Sequence, residues 1–391
     1  MDPLDVRQKR NLYLILSVTL LSLAGVPSII PILAEMSEEL NISESKIGLM
    51  ITVFTLPGAV LAPFLGMIID RWGRKKVLLL ALVLFGVSGT ACFFLRSFDM
   101  ILVLRFFQGL AAACLGIVNI TLIGDIYGGN QKARAMGYNS GVMSVSMALF
   151  PAAGGLLASI SWYYPFLIPA LALVVALLVY FYLDNPEPAV KAGLTSYLNH
   201  VFRTVLNRKA LMLFVLSFAT FMLLFGVIMT YLPILLRNTF NLSSKEIGFL
   251  VSLLAIVSGL AASQLNRISR IFPMRYLIGF GFISYLAGFI AIPYMDGLYG
   301  VIAWLLLIGL GLGINLPAIF HLLTDVAPMQ QRGAFMSINS MAIRAGQTIG
   351  PVLSGLLFGL WGLSWVFWVG AILAFLFLLT FMLFLPYPAH S

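Results

Sequence analysis

Charge is what this 391-residue sequence has least of: 23 Lys and Arg with 14 Asp and Glu make up 9% of it, against 61% hydrophobic residues. Its mean hydropathy is +1.03. A water-soluble chain carries about 25% charged residues and needs polar surface to cover its core, so solution in water is excluded and the solvent is lipid. Cysteine is scarce too. Cys92 and Cys114 both fall inside apolar runs, where thiols pack as small hydrophobes, and neither a disulfide framework nor a metal cluster is implied. No stretch has the form G-x-x-x-x-G-K-[ST], which argues against direct use of ATP. Nor does any long run alternate polar with apolar residues, the pattern a membrane-spanning barrel needs.

What is there is uninterrupted hydrophobicity. In hydrocarbon every backbone amide has to be satisfied within the chain, which leaves helices once barrels are excluded, and a spanning helix takes about 20 apolar residues. Residues 11–34, 47–69, 77–95, 106–124, 210–236, 247–266, 276–295 and 297–324 hold no charged side chain, and each is long enough to cross once. Two further stretches, 135–183 and the tail after Gly333, are broken near 159–165 and 361–364 and supply a pair each. The expectation is an all-α membrane protein with twelve transmembrane helices. Arg7, Lys9 and Arg10 precede the first run as they would a secretory signal, but the run exceeds a signal core and more spans follow, so it reads as a retained helix.

Lys and Arg set the orientation, because basic loops are retained on the cytoplasmic side. With the N-terminus inside, internal segments hold most of the basic residues, among them Arg71, Arg74, Lys75, Lys76, Lys132, Arg134, Lys191, Arg203 and Arg267. The external loops hold only Lys46, Arg96, Arg237 and Lys245. Both termini are then cytoplasmic, in a multi-pass protein of the cell inner membrane. The net charge of +9 is accounted for by this bias and by contact with anionic membrane lipids, without nucleic acid as a partner.

The longest break between spans carries Pro186 and Pro188 and lies at the midpoint. It separates an N-terminal six-helix bundle at 1–183 from a C-terminal one at 210–391, with a cytoplasmic linker at 184–209. At an offset of 200 residues Asn41 and Gly48 match Asn241 and Gly248, Gly109 matches Gly309, Asp125 matches Asp325, Asn139-Ser140 matches Asn339-Ser340, and Pro151 matches Pro351. One offset held over five helices is an internal duplication. Duplicated membrane folds hold a substrate near the midplane between their halves and expose it alternately to either side, so gradient-driven transport is the expected activity.

Three motifs stand on these helices. After the second comes Gly66-Met-Ile-Ile-Asp70-Arg71-Trp72-Gly73-Arg74-Lys75-Lys76. Gly66 suits close helix contact, Gly73 a tight turn, and Asp70 the positive N-terminal end of a neighbouring helix; the plainer reading is a solvated basic loop that sets topology. In the fourth helix Arg105 precedes Gln108 and Gly109. At 100° per residue Gln108 and Asn119 lie within about 60° of Arg105, a polar stripe expected to face the central cavity. A mid-membrane Arg costs about 2.5–3.5 kcal/mol on the insertion scale, although Arg105 is near enough to the outer end to snorkel. The fifth helix has Pro151-Ala-Ala-Gly154-Gly155 and the eleventh Gly346-Gln-Thr-Ile-Gly350-Pro351, where glycines allow close backbone approach and prolines bend the helix.

The first of these resembles the loop signature G-x-x-x-D-R-x-G-R-[KR] of the major facilitator superfamily, and the second resembles that family's motif with an embedded Arg and a following Gln-Gly. The third is similar to the antiporter motif G-x-x-x-G-P-x-x-G-G, with Ser146 and Phe150 in place of its two leading glycines. The resemblance covers nearly the whole chain. It implies two pseudo-symmetric bundles, alternating access, no cofactor, and a latch in which Asp70 meets helix 11. It also implies a gating and coupling role for Gly66, Asp70, Arg71, Gly73, Arg74, Arg105, Gln108, Gly109, Pro151, Gly154, Gly155, Gly346, Gly350 and Pro351. Within the family the chain looks most like the twelve-helix drug:proton antiporters, which implies proton-coupled efflux by a monomer.

Helix 11 carries the sharpest site. Ser337, Ser340, Arg344, Gln347 and Thr348 fall within about 100° of arc, with Gly346 and Gly350 on the far side. Arg344 lies near mid-depth, too deep to snorkel, and no acidic residue sits at mid-depth in any helix. Arg344, Gln347 and Ser340, with Asn119 and Asn315 from other helices, are expected to bind the substrate, Arg344 meeting an anionic or strongly hydrogen-bonding group. The plainer reading is an Arg satisfied by carbonyls and amides, and Asn315 beside Pro317 serves equally as helix glue. His321 is the one histidine within a span, the residue type suited to a proton relay; Glu35 reaches only the outer end of helix 1. Export of drugs or small amphipathic metabolites is the leading expectation. Transport of an organic anion by Arg105 and Arg344 is the second, and a receptor or lipid scramblase without coupled turnover the third. No pairing of nucleophile and base is embedded, so an enzyme is not expected.

Overall fold

A computed structural model of the chain describes residues 5–184, 208–295, 297–328 and 332–384. The linker expected at 184–209 falls almost wholly outside them, as do Lys191 and Arg203. Among the described residues there is no strand, and ten helical segments are long and apolar enough to cross a membrane. The first and eleventh of the twelve expected spans are not among those ten. The first is interrupted after Ser22 and resumes at Ile30, and the eleventh is diluted by its polar face.

In chain order the helices are α1 (Val6–Ser22), α2 (Leu33–Glu39), α3 (Glu44–Ile47), α4 (Leu49–Trp72), α5 (Arg74–Ala91), α6 (Phe98–Ile126), α7 (Gly129–Ala158) and α8 (Leu171–Tyr182). There follow α9 (Arg208–Leu223), α10 (Thr230–Phe240), α11 (Ser244–Ser263), α12 (Leu265–Ile268), α13 (Met274–Ala291), α14 (Gly297–Val326), α15 (Arg332–Trp361) and α16 (Leu363–Phe384). Local chemistry sets several ends. Asp5 caps α1 reciprocally with Gln8, satisfying amides that the first turn leaves free. Asn41 and Asn241, one repeat apart, both take the left-handed conformation, at φ 52° and 51°. Asn is the non-glycine residue that tolerates this turn best, so the duplication extends to backbone geometry.

The chain forms two compact units. Unit 1 comprises Met1–Ile42, Leu49–Ala192 and Ser243–Ser252; unit 2 comprises Ser43–Gly48, Gly193–Leu242 and Leu253–Ser391. In unit 1, α6 is central, packed on α4 and α5. The approach is set by Gly109, where a Cβ would strike the carbonyl of Phe54. On α7, a Cβ at Gly154 would strike the carbonyl of Ser28, and one at Gly155 would come within 2.6 Å of the Ser244 carbonyl oxygen. Pro151 is buried in the same helix, which continues through it. In unit 2, α13 packs on α14, and α9 on α15, where Gly346 and Gly350 leave no room for a Cβ beside the carbonyls of Phe218 and Met222. Between α9 and α10 the helix widens over Leu224–Met229 to a π-type turn, with Gly226 so close that a Cβ would stand 2.6 Å from the Gly350 carbonyl.

Candidate substrate and coupling site

The loop between α4 and α5 turns at Gly73, whose φ of 89° suits only glycine. That turn carries Arg74 back beneath the helix ends. Its Nη1 lies 2.7 Å from Asp70 Oδ1, and its Nε donates to Asp125 Oδ2 on α6 at 3.0 Å. Arg74 is buried, and its contacts with the two carboxylates tie three helices of unit 1 together. Within unit 1 the partner of Asp70 is this guanidinium, one turn on. Arg71 is exposed, and among the described residues nothing stands within 4 Å of a Cβ at Gly66, so the close contact read for that glycine is not made.

Arg105 is not available to a ligand. It is 1% exposed, its Nη1 donates to the Gly25 carbonyl and to Gln108 Oε1, each at 2.7 Å, and its guanidinium lies 4.7 Å from the Phe54 ring centre. The stripe expected to face a cavity is thus turned into unit 1, where Gln108 holds the arginine and Gly109 admits the α4 backbone. Asn119 belongs to the same interior. Its Nδ2 donates to Thr19 Oγ1 and, at 3.4 Å, to Asn139 Oδ1, while Thr19 donates to Asn139 at 2.5 Å. This knot joins α1, α6 and α7. Thr19 and Asn139 were not read as site residues: a lone Thr gives no periodic signal, and Asn139 was noticed only as a repeat match.

Unit 2 holds its polar groups differently. On α15 the two faces separate as expected: Gly346 and Gly350 pack on α9, and Arg344 lies on the other side, partly exposed, with no hydrogen-bond or charged partner among the described residues. At 1.5 Å per residue Arg344 is roughly 18 Å into a helix about 45 Å long. Ser340 is exposed and donates back to the Met336 carbonyl at 2.9 Å, while Gln347 is nearly buried, its Oε1 without a partner. Asn315 does not face the Arg344 side. It is 0% exposed, packs against Gly281 of α13, and neither of its amide atoms has a partner, as is also true of Asn339. His321 pairs with Asp325 at 3.0 Å, the repeat position at which Asp125 holds Arg74; here Met274 stands where that arginine would be. Among the described residues no group of acidic, His and Cys side chains forms a metal site.

These positions lie on a chain whose relatives are known. Residues 15–328 and 226–391 match the family model described as Major Facilitator Superfamily. The chain is 27% identical over 359 residues to the bacillibactin exporter of Bacillus subtilis, covering 88% of each. It is 25% identical over 362 residues to multidrug resistance protein 1 of the same organism, covering 90% of this chain and 91% of that one. Among solved structures, a bacterial homologue of the human lysosomal transporter Spinster superposes with a TM-score of 0.82 at 17% identity, over 99% of this chain and 100% of that one. A duplicated all-helical chain with the Asp70–Arg74 loop, matched along its length in this way, belongs to the major facilitator superfamily: it is a multi-pass membrane transporter of small molecules and not an enzyme.

Proposed function

We propose that this transporter exports drugs or small amphipathic metabolites by alternating access, driven by the proton gradient, as a monomer with both termini in the cytoplasm. The observation that carries the proposal is the polar face of α15. A guanidinium at mid-depth, unneutralised by any described side chain and flanked by Gln347 and Ser340, is costly to keep in hydrocarbon unless it meets water or a ligand. Arg344 and Gln347 are the substrate contacts, with Ser340 at the exposed end of the same face. Apolar helix surfaces around them suit an amphipathic compound. The loop triad of Asp70, Arg74 and Asp125 and the close-packed glycines then serve gating rather than binding. The sequence similarity to exporters of a siderophore and of drugs supports the outward direction.

A second reading, transport of an organic anion, is favoured by one observation. All the acidic residues of the described spans lie toward helix ends, so a cationic substrate would find no mid-depth counter-charge, whereas an anionic one finds Arg344. The deciding experiment reconstitutes the protein in liposomes with imposed pH or Na⁺ gradients and a panel of cationic, neutral and anionic amphipathic compounds. Accumulation of neutral and charged compounds that collapses with the pH gradient is expected. Counterflow confined to anions establishes the second reading, and flux indifferent to both gradients removes proton coupling.

A further inference from the structure

One feature of unit 1 lies outside this transport chemistry. Where α4 gives way to α5, a surface groove of about 610 Å³ is lined by Trp72, Lys75, Lys76, Leu79, Leu80 and Tyr180. That is within the size range of small-molecule sites, roughly 300–1,000 Å³. Its two walls come from α5 and α8, helices that pack on each other. Its chemistry is divided. At one end are two ammonium groups. Lys75 Nζ donates to the Leu183 carbonyl at 2.7 Å and, having three protons, keeps donors to spare; Lys76 Nζ stands 5.7 Å from the centre of the Trp72 ring. At the other end are leucines and an aromatic ring. No carboxylate among the described residues lines the groove. Asp70 is held by Arg74, and Asp184 by Arg10 and Asn11. Trp72 and Tyr180, 59% and 61% exposed, are amphipathic side chains of the kind that sit at headgroup level.

We propose that this groove seats an anionic phospholipid, its phosphate between the Lys75 and Lys76 ammonium groups and an acyl chain along Leu79, Leu80 and Tyr180. Charge complementarity selects the headgroup: two cations, with no anion among the described lining residues, disfavour a zwitterion relative to a lipid of net negative charge. The apolar floor distinguishes a lipid from free phosphate, which would leave the leucines and Tyr180 unused. In the orientation set by the basic loops the groove opens on the cytoplasmic leaflet, the one whose anionic lipids attract basic segments beside the membrane. The inference does not depend on which compound is transported.

The test measures lipid binding to the full-length protein by native mass spectrometry from a neutral detergent, with phosphatidylglycerol, phosphatidylcholine and inorganic phosphate as separate probes. Phosphatidylglycerol should bind in preference to phosphatidylcholine. The pair Lys75→Gln with Lys76→Gln should lose about 25-fold in affinity, about fivefold for each basic side chain at a lipid surface. Lys75→Arg with Lys76→Arg should keep binding, and Arg270→Gln, which removes a basic residue from unit 2, should leave it unchanged. Should the double variant fail to fold, Lys76→Gln alone, at an exposed side chain, should still lose about fivefold. Equal binding by wild type and the Gln variants overturns the proposal, as does an equal loss in Arg270→Gln. Equal binding of phosphatidylcholine, or displacement of the lipid by inorganic phosphate alone, overturns it as well.

Discussion

The two units share one repeat and hold their embedded arginines differently. In unit 1 the polar side chains answer one another: Arg74 has two carboxylates, Arg105 has a carbonyl and Gln108, and Thr19, Asn119 and Asn139 close on themselves. In unit 2 several embedded groups stand without such partners, and among them Asn339 is the repeat counterpart of Asn139. Neither amide atom of Asn315 or Asn339 is bonded, Gln347 Oε1 is open, and Arg344 has no acceptor among the described residues. A buried polar group left unpaired costs about 1–3 kcal/mol, and both units carry some: Arg105 Nη2, Gln108 Nε2 and Asn119 Oδ1 in unit 1, and Asn315, Asn339 and Gln347 Oε1 in unit 2. The difference lies in the two embedded arginines: Arg105 is enclosed by its partners, whereas Arg344 is partly exposed with none among the described residues, which is what its proposed substrate role rests on.

The largest effect should come from exchanging the roles of the two embedded arginines. Arg344→Ala should bring transport in liposomes to background, a loss of about 100-fold or more, with the melting temperature of the purified protein little changed, and Arg344→Lys should retain a fraction of the rate. Arg105→Ala should do the reverse, lowering thermal stability by about 1–3 kcal/mol because Gln108 and the Gly25 carbonyl lose their donor. Transport by Arg344→Ala with unaltered affinity for every accepted substrate breaks the comparison. Next in size are the glycines. Gly109→Ala drives a methyl into the Phe54 carbonyl, and because backbone cannot rotate away, a cost of about 1–3 kcal/mol is expected from chemical denaturation. Gly66→Ala, with open space around it, should stay within about 0.5 kcal/mol of wild type. The smallest effect sharpens the polar contrast itself. Asn139→Ala removes the acceptor shared by Thr19 and Asn119 and should cost about 0.6 kcal/mol, the mean for hydrogen bonds between membrane helices, and at most about 1.7, whereas Asn315→Ala should cost less because no bond is lost.

The fold was legible because lipid leaves so few choices. Uncharged runs of about 20 residues have to be helices, and a shared 200-residue offset has to be a repeat. The division of α15 into a glycine face and an Arg344 face was legible for the same reason, since helical spacing alone separates positions 346 and 350 from 344 and 347. The rotation of α6 was not. Lipid-facing and protein-facing sides of a membrane helix are both apolar, so the stripe of Arg105, Gln108 and Asn119 announced that it must avoid lipid without saying which neighbour it would meet. Asn315 illustrates the same gap: only packing against Gly281 shows which way it points. The partner of Asp70 was missed because Arg74 was read as loop charge, while the turn at Gly73 brings it back under α4.

The segments Ser43–Gly48 and Ser243–Ser252 give the repeat one more consequence. Each leaves the run of sequence it belongs to and is counted with the other compact unit, one repeat apart. A ribosome that has released every residue up to Ala192 has therefore not yet delivered the strip that lies over Gly155, and unit 2 in turn uses a strip made long before the rest of it. Severing the chain at its midpoint would yield two fragments that each lack a strip the other carries.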